Sequence, residues 1–160
     1  MAENPDTTVA FETDGRPRSA PAPAVARRPR HMGDSYWGTG RRKTAIARVR
    51  LSPGDGKFLV NDRDVDKYFG LARDRHTVRK PLSITDTAKS YDVRVNVYGG
   101  GPTGQAGAIA LGLARALAGV NPDFEPKLRD ERLLTRDPRK VERKKYGRAG
   151  ARRRFQFSKR

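Results

Sequence analysis

The stretch "YDVRVNVYGGGPTGQAGAIALGLARALAGV", Tyr91 to Val120, decides the fold. Its first eight residues alternate: Tyr91, Val93, Val95 and Val97 fall on one face, and Asp92, Arg94 and Asn96 on the other. That period of two marks a half-buried strand. After the glycine-rich turn the period lengthens. Ala106, Ile109, Ala110, Leu113, Ala114 and Leu117 recur at helical spacing, giving an amphipathic helix with a wide apolar face. Gly107 and Gly112 inside it each cost about 1 kcal/mol relative to alanine, so they are expected where the helix packs closely against a sheet.

Working outward, "TAIARVRLSPGDGKFLVND" reads as a hairpin. Ala45, Ala47, Val49 and Leu51 share one face, Arg48 and Arg50 the other, "SPGDG" turns, and Lys57 to Val60 return. "DRDVDKYF" and "DRHTVRKPL" read as short helical pieces, and another runs from Pro126 to Leu134. These elements predict a single α+β domain of about 100 residues, a size that buries roughly two-thirds of its surface.

Charge divides the chain into three parts. The 160 residues carry 35 Lys and Arg against 18 Asp and Glu, a net +17, and the isoelectric point is about 11.0. Residues 1–35 form a Pro/Ala/Arg-rich arm, "RPRSAPAPAVARRPR", with too little apolar area to offset backbone ordering, and are expected to be disordered. Residues 36–138 hold the periodic pattern. Residues 139–160 hold 11 basic residues against the single acid Glu142. More than half of the excess charge therefore lies in the last seventh of the chain, as a polyphosphate-binding extension requires.

That tail carries Arg139, Lys140, Arg143, Lys144, Lys145, Arg148, Arg152, Arg153, Arg154, Lys159 and Arg160, interleaved with Tyr146, Phe155 and Phe157. Arginine grips phosphates bidentately and aromatic rings stack on unpaired bases. The alternative is a generic polybasic or membrane-tethering tail, which the excess of Arg over Lys near the end and the interleaved rings disfavour.

Two glycine-rich stretches raise the question of nucleotide chemistry. In "YGGGPTGQAGA", Gly99, Gly100, Gly101 and Gly104 precede a helix N-terminus, where backbone N–H groups favour an anion. They serve a phosphate or simply a tight turn. A P-loop is excluded, because Gln105 follows Gly104 where lysine is required; only a lone G-x-G-x-x-G remains. "WGTGRRKTAIARV" lacks the glycine before Lys43 and leads into a strand. Arg41, Arg42 and Lys43 are a basic cluster at a strand entrance, available to phosphates or merely solvated. His31 and His76 have no metal-ligating company, Asp62, Asp64 and Asp66 lack the glycine and terminal glutamate of a calcium loop, and Asp62 is expected at a turn or helix cap. No nucleophile and base stand together. A non-enzyme without cofactor or metal is expected. The longest apolar run, Ala106 to Ala114, falls far short of the roughly 20 residues that span a bilayer, no secretory signal opens the chain, and cysteine is absent, which predicts a cytoplasmic protein without membrane partners.

"GTGRRKTAIARV" (38–49), "GGGPTGQAGAIALGLARAL" (99–117), "LLTRDPRKVERKKYG" (133–147) and "ARRRFQFSKR" (151–160), in this order and spacing, resemble the S-nine family of small-subunit ribosomal proteins, bacterial type, over residues 36–160. The resemblance implies a compact domain with a mixed sheet and a left-handed βαβ crossover, and a tail threaded through ribosomal RNA of the subunit head beside neighbouring ribosomal proteins. It implies that Lys159 and Arg160, with Ser158 nearby, contact the peptidyl-site tRNA. It further implies that Arg136 and the basic residues from Arg139 to Arg154 meet ribosomal RNA, as do Arg41, Arg42 and Lys43, and that Gly99 to Gly104 approach RNA or close the crossover. The chain departs from the family pattern at Ala149 and Gly150, where lysine is common, at Phe155, often proline, and at Arg132, often glycine. Two rivals remain at this stage: a kinase-like nucleotide-binding enzyme, and a free basic nucleic-acid chaperone.

Overall fold

The computed structural model describes residues 31–32 and 35–158. Most of the expected arm lies outside these residues. Strands β1 (His31–Met32), β2 (Ser35–Arg42), β3 (Ala45–Pro53), β4 (Phe58–Val60), β5 (Arg63–Asp64) and β6 (Tyr91–Tyr98) form one mixed sheet in the order β1-β2-β3-β6-β4-β5. Helices are α1 (Val65–Tyr68), α2 (Ala72–Ile84), α3 (Pro102–Val120) and α4 (Phe124–Asp130). The α+β expectation holds.

Both alternating patterns appear as predicted. Ala45, Ala47, Val49 and Leu51 on β3 and Val93, Val95 and Val97 on β6 are buried under α3, while Arg48, Arg50 and Arg94 face away. The predicted hairpin does not form. Although β3 and β4 are joined by a short turn, β6 lies between them, pairing antiparallel with β3 and parallel with β4. A parallel pair needs a crossover, here supplied by β5, α1 and α2. Hairpins instead join β2 to β3, turning at Lys43 and Thr44, and β4 to β5, turning at Asn61 and Asp62 with φ of 47° and 60°. Such positive φ suits Asn and Asp in a two-residue turn, which is the role expected of Asp62. The Asn61 side chain then bridges to β6, donating to Val97 O and accepting from Val97 N–H, each at 2.9 Å.

β2 is the strand that alternation misses. Its core-facing positions include Gly38 and Gly40, which lie directly beneath the α3 backbone at Gly112 and Ala108. Gly112 in turn sits against Val49 and the Gly40 N–H, as expected of a glycine at a helix–sheet contact, whereas Gly107 makes room for the Arg42 side chain. α3 starts at Pro102, a residue suited to a first helical turn because its missing N–H would have no partner there. It is also more buried than one apolar face requires: Ala108, Leu111 and Ala116 are buried too, since α2 and α4 pack on it as well as the sheet.

α2 is one 13-residue helix rather than a brief piece. The last helix runs Phe124–Asp130, earlier than expected, and ends in a left-handed turn. Leu133 N–H bonds Leu128 O (3.0 Å), Arg132 N–H bonds Arg129 O (2.9 Å), and Arg132 carries φ 55°. This is the helix-stop geometry that ordinarily takes glycine. The turn survives on an arginine, and Leu133 and Leu134 pack against the core beyond it.

Candidate nucleic-acid interface

The sequence-predicted residues occupy three places. The first is the start of α3. Gly99 and Gly100 adopt φ of 73° and 66° and pass close to Thr44 and Ala45, so the loop closes the β6–α3 turn against the β2–β3 hairpin; Gly101 and Gly104 are uncrowded. Nearby polar groups face protein partners. Gln105 donates to Gly99 O (3.2 Å) and accepts from the Tyr68 hydroxyl (2.8 Å), and Thr103 donates to the carboxylate of Asp74 (3.2 Å), a residue only 2 % exposed. A buried carboxylate beside a helix N-terminus is favoured by the dipole and opposes a second negative charge brought to the same end. The geometry is that of a turn.

The second place is the "RRK" cluster, which the fold spreads apart. Arg41 points with the outer face of the sheet, Arg42 lies half-buried over α3, and Lys43 (φ 52°) tops the hairpin.

The third place is the tail. Its departure point is tied by Asp137, whose carboxylate accepts from the Arg139 backbone N–H and guanidinium (3.0 Å each) and lies 3.9 Å from Arg42. The Arg139 side chain, then its backbone N–H, holds the Asp137 carboxyl down at about 2. Arg136 and Lys140 on either side are exposed. Glu142 gathers Arg152 (2.9 Å) and Lys145 (3.1 Å), which in that order lower its own titration, and Ala149 N–H bonds Arg153 O (3.0 Å). Arg143 and Arg148 reach only backbone carbonyls, and Lys144, Arg153, Arg154 and Ser158 are exposed. Tyr146 and Phe157 are 97 % and 95 % exposed, and Phe155 is largely so. Three exposed rings thus stand among cations of which, among the described residues, only Arg139, Lys145 and Arg152 have an acid partner. Lys159 and Arg160 lie outside the described residues.

Residues 40–160 match the family model described as Ribosomal protein S9/S16. The chain belongs to that family. S9/S16 membership makes it an RNA-binding structural protein of the small ribosomal subunit, acting in translation within the ribosome. The match includes the whole tail, the α3 turn and most of the sheet, so the exposed cations and rings belong to the family's own domain rather than to an appended segment. No helix among the described residues is long and apolar enough to cross a membrane.

One group of exposed side chains was not singled out by sequence. On the outer sheet face, strand register aligns Trp37 with Arg50 and Arg50 with Arg94, and in the next row Thr39 with Arg48 and Arg48 with Asn96. The guanidinium carbons of Arg48 and Arg50 each lie 6.0 Å from the Trp37 ring centre. A shallow depression of about 220 Å³ opens beside Arg50, Lys57, Asp92 and Arg94. The alternation of β3 showed that Arg48 and Arg50 face outward; only the strand order shows what they face beside.

Proposed function

We propose that this S9/S16 protein stabilises folded ribosomal RNA in the head of the small subunit, and that Ser158, Lys159 and Arg160 of its tail hold the backbone of tRNA in the peptidyl site. The observation that carries this reading is the tail itself: cations and rings from Arg139 to Phe157 stand in solvent, where Asp137 takes Arg139, Glu142 takes Lys145 and Arg152, and the remaining cations have no acid among the described residues. Such a segment gains order when phosphates replace water and released counterions supply the driving force. Its mode of action is backbone positioning, in which phosphate contacts set register and carry no sequence information. Tyr146, Phe155 and Phe157 add stacking on unpaired bases, tolerant of sequence because every base has a π-face.

Chains lacking Ser158 to Arg160 are expected to assemble into small subunits normally, because the remaining tail cations are untouched. Those subunits should bind peptidyl-site tRNA more weakly, with a salt dependence shallower by about 2, one unit for each lost phosphate contact of Lys159 and Arg160. Filter binding of tRNA to purified subunits across a salt series measures both. Equal affinity and equal slope in truncated and full-length subunits would overturn the tail-end role.

A further inference from the structure

The outer face of the sheet holds cations that the fold leaves without acids. Several basic side chains elsewhere on the domain are matched: Asp66 takes Arg75 and Arg79 (3.8 and 2.8 Å), and Glu131 takes Lys80 (2.7 Å). Arg48, Arg50 and Arg94 have no carboxylate partner among the described residues. Asp92, which lines the same depression as Arg50 and Arg94, has one oxygen committed to the backbone N–H groups of Gly56 (3.0 Å) and Lys57 (2.8 Å) and forms no ion pair with the three arginines. Asp64 is at the far edge on β5, beyond Leu59.

Neighbouring strands lie about 4.8 Å apart and same-face residues along a strand about 6.7 Å apart. Arg50 and Arg94 are direct cross-strand partners and Arg48 is one same-face step from Arg50, so three guanidiniums share a small area. Like charges directly opposite are destabilising, and the Trp37 ring, at the outer limit of cation–π range, returns only a little. The cluster therefore weakens the fold unless an anion meets it. Tyr98, 57 % exposed, stands on the same face two residues from Asn96, and the depression beside Arg50 and Arg94 is also lined by Leu59 and Asp92. Arginines on a flat pleated surface with an exposed ring suit a single strand of RNA, whose phosphates take the guanidiniums and whose splayed base takes the ring.

We propose that this sheet face is a second RNA-binding surface, independent of the tail, on which Arg48, Arg50 and Arg94 hold the phosphate backbone of a single-stranded segment and Tyr98 stacks an unpaired base. The proposal rests on the RNA-binding reading of the chain and adds a location and a ligand class to it.

Trp37 is the only tryptophan in the chain, so its emission reports on this face alone. Full-length protein is titrated with fluorescein-labelled oligouridine, with anisotropy reporting all binding and Trp37 emission reporting binding at the sheet. Saturable change at Trp37 is expected. In the R48Q/R50Q/R94Q variant the Trp37 response should weaken tenfold or more. The salt dependence from anisotropy should fall by about 2, at about 0.7 per phosphate on a single strand, so that affinity drops about 20-fold less between 50 and 200 mM salt. The R48K/R50K/R94K variant should keep most of the slope, which separates lost charge from lost folding. RNA binding by anisotropy with a silent Trp37 and an unaltered slope in the glutamine variant would overturn the proposal while leaving RNA binding by the tail intact. A Trp37 shift on deleting residues 1–30 without RNA would overturn it differently, making the chain's own N-terminal segment the occupant. Absence of any anisotropy change would instead count against the RNA-binding reading itself.

Discussion

An alanine at Gly40 would carry a Cβ about 1.2 Å inside the 3.0 Å that real Cβ atoms keep from the Ala108 carbonyl oxygen, and also too close to the Gly112 N–H. Both partners are backbone of α3, so no rotamer change relieves the clash. Either the helix lifts from β2 or the strand bends away, by about 1 Å. A gap of 0.5–1 Å forfeits a quarter to a half of each dispersion contact across it, and this is the most extensive helix–strand contact in the domain. Overpacking typically costs 1–3 kcal/mol; with backbone on both sides the expected loss is at the top of that range, about 3 kcal/mol, or roughly 150-fold in the folded-to-unfolded ratio. Against a total stability of about 5–15 kcal/mol that is a large share. In urea, with an m-value of about 2 kcal/mol/M, the midpoint should fall by about 1.5 M, followed by Trp37 emission and far-ultraviolet circular dichroism. Two controls fix the interpretation. Gly70 has nothing within 4 Å of an added Cβ, so alanine there should stay within about 0.5 kcal/mol of the parent. At Gly107 the obstacle is the movable end of the Arg42 side chain, and the roughly 1 kcal/mol gained in helix propensity should make that alanine neutral or slightly stabilising. A Gly40→Ala midpoint within 0.3 M of the parent, or a Gly107→Ala variant that is the more damaged of the two, would refute close backbone approach as the reason for these glycines.

Arg132→Gly should raise stability by about 0.5–1 kcal/mol, because the left-handed turn after α4 strains any residue with a Cβ; chemical denaturation measures it, and a loss would show that the arginine side chain contributes more than the strain costs. The Asp137 carboxyl should titrate near 2 rather than at its ordinary 3.8, so whatever it contributes is fully present above pH 3.8 and is lost as pH falls through about 2. Carbon-detected NMR across that window gives the midpoint, and Arg139→Gln should move it back toward 3.8.

The parts of the fold legible in sequence are those where a side chain reports its own burial. Valines at every second position on β6 and leucines at helical spacing on α3 do so, and the structure buries all of them. β2 is illegible for the opposite reason. Gly38 and Gly40 carry no side chain because what they meet is the helix backbone, so the most tightly packed strand shows the weakest apolar pattern. The separation of β3 from β4 is illegible in sequence because a short turn between two strands favours a hairpin, and only the competing register of β6 against both of them displaces it. That preference is a property of the assembled sheet.

The same distinction governs the charges. The tail could be recognised because its cations outnumber its acids in one continuous stretch, where composition measures local neutrality directly. On a folded surface neutrality is set by neighbours in space: Asp66 is 13 residues from Arg79, and Glu131 is 51 residues from Lys80. Arg48 and Arg50 look in sequence like any solvated strand edge, and their alternation with buried residues supports that reading. What sets them apart is that β6 brings Arg94 rather than an acid beside them, while the turn at Gly56 and Lys57 engages the carboxylate that could have answered. Three arginines without an ion-pair partner among the described residues, set side by side by the register of two adjoining strands, are the feature on which the proposed phosphate contact of this face rests.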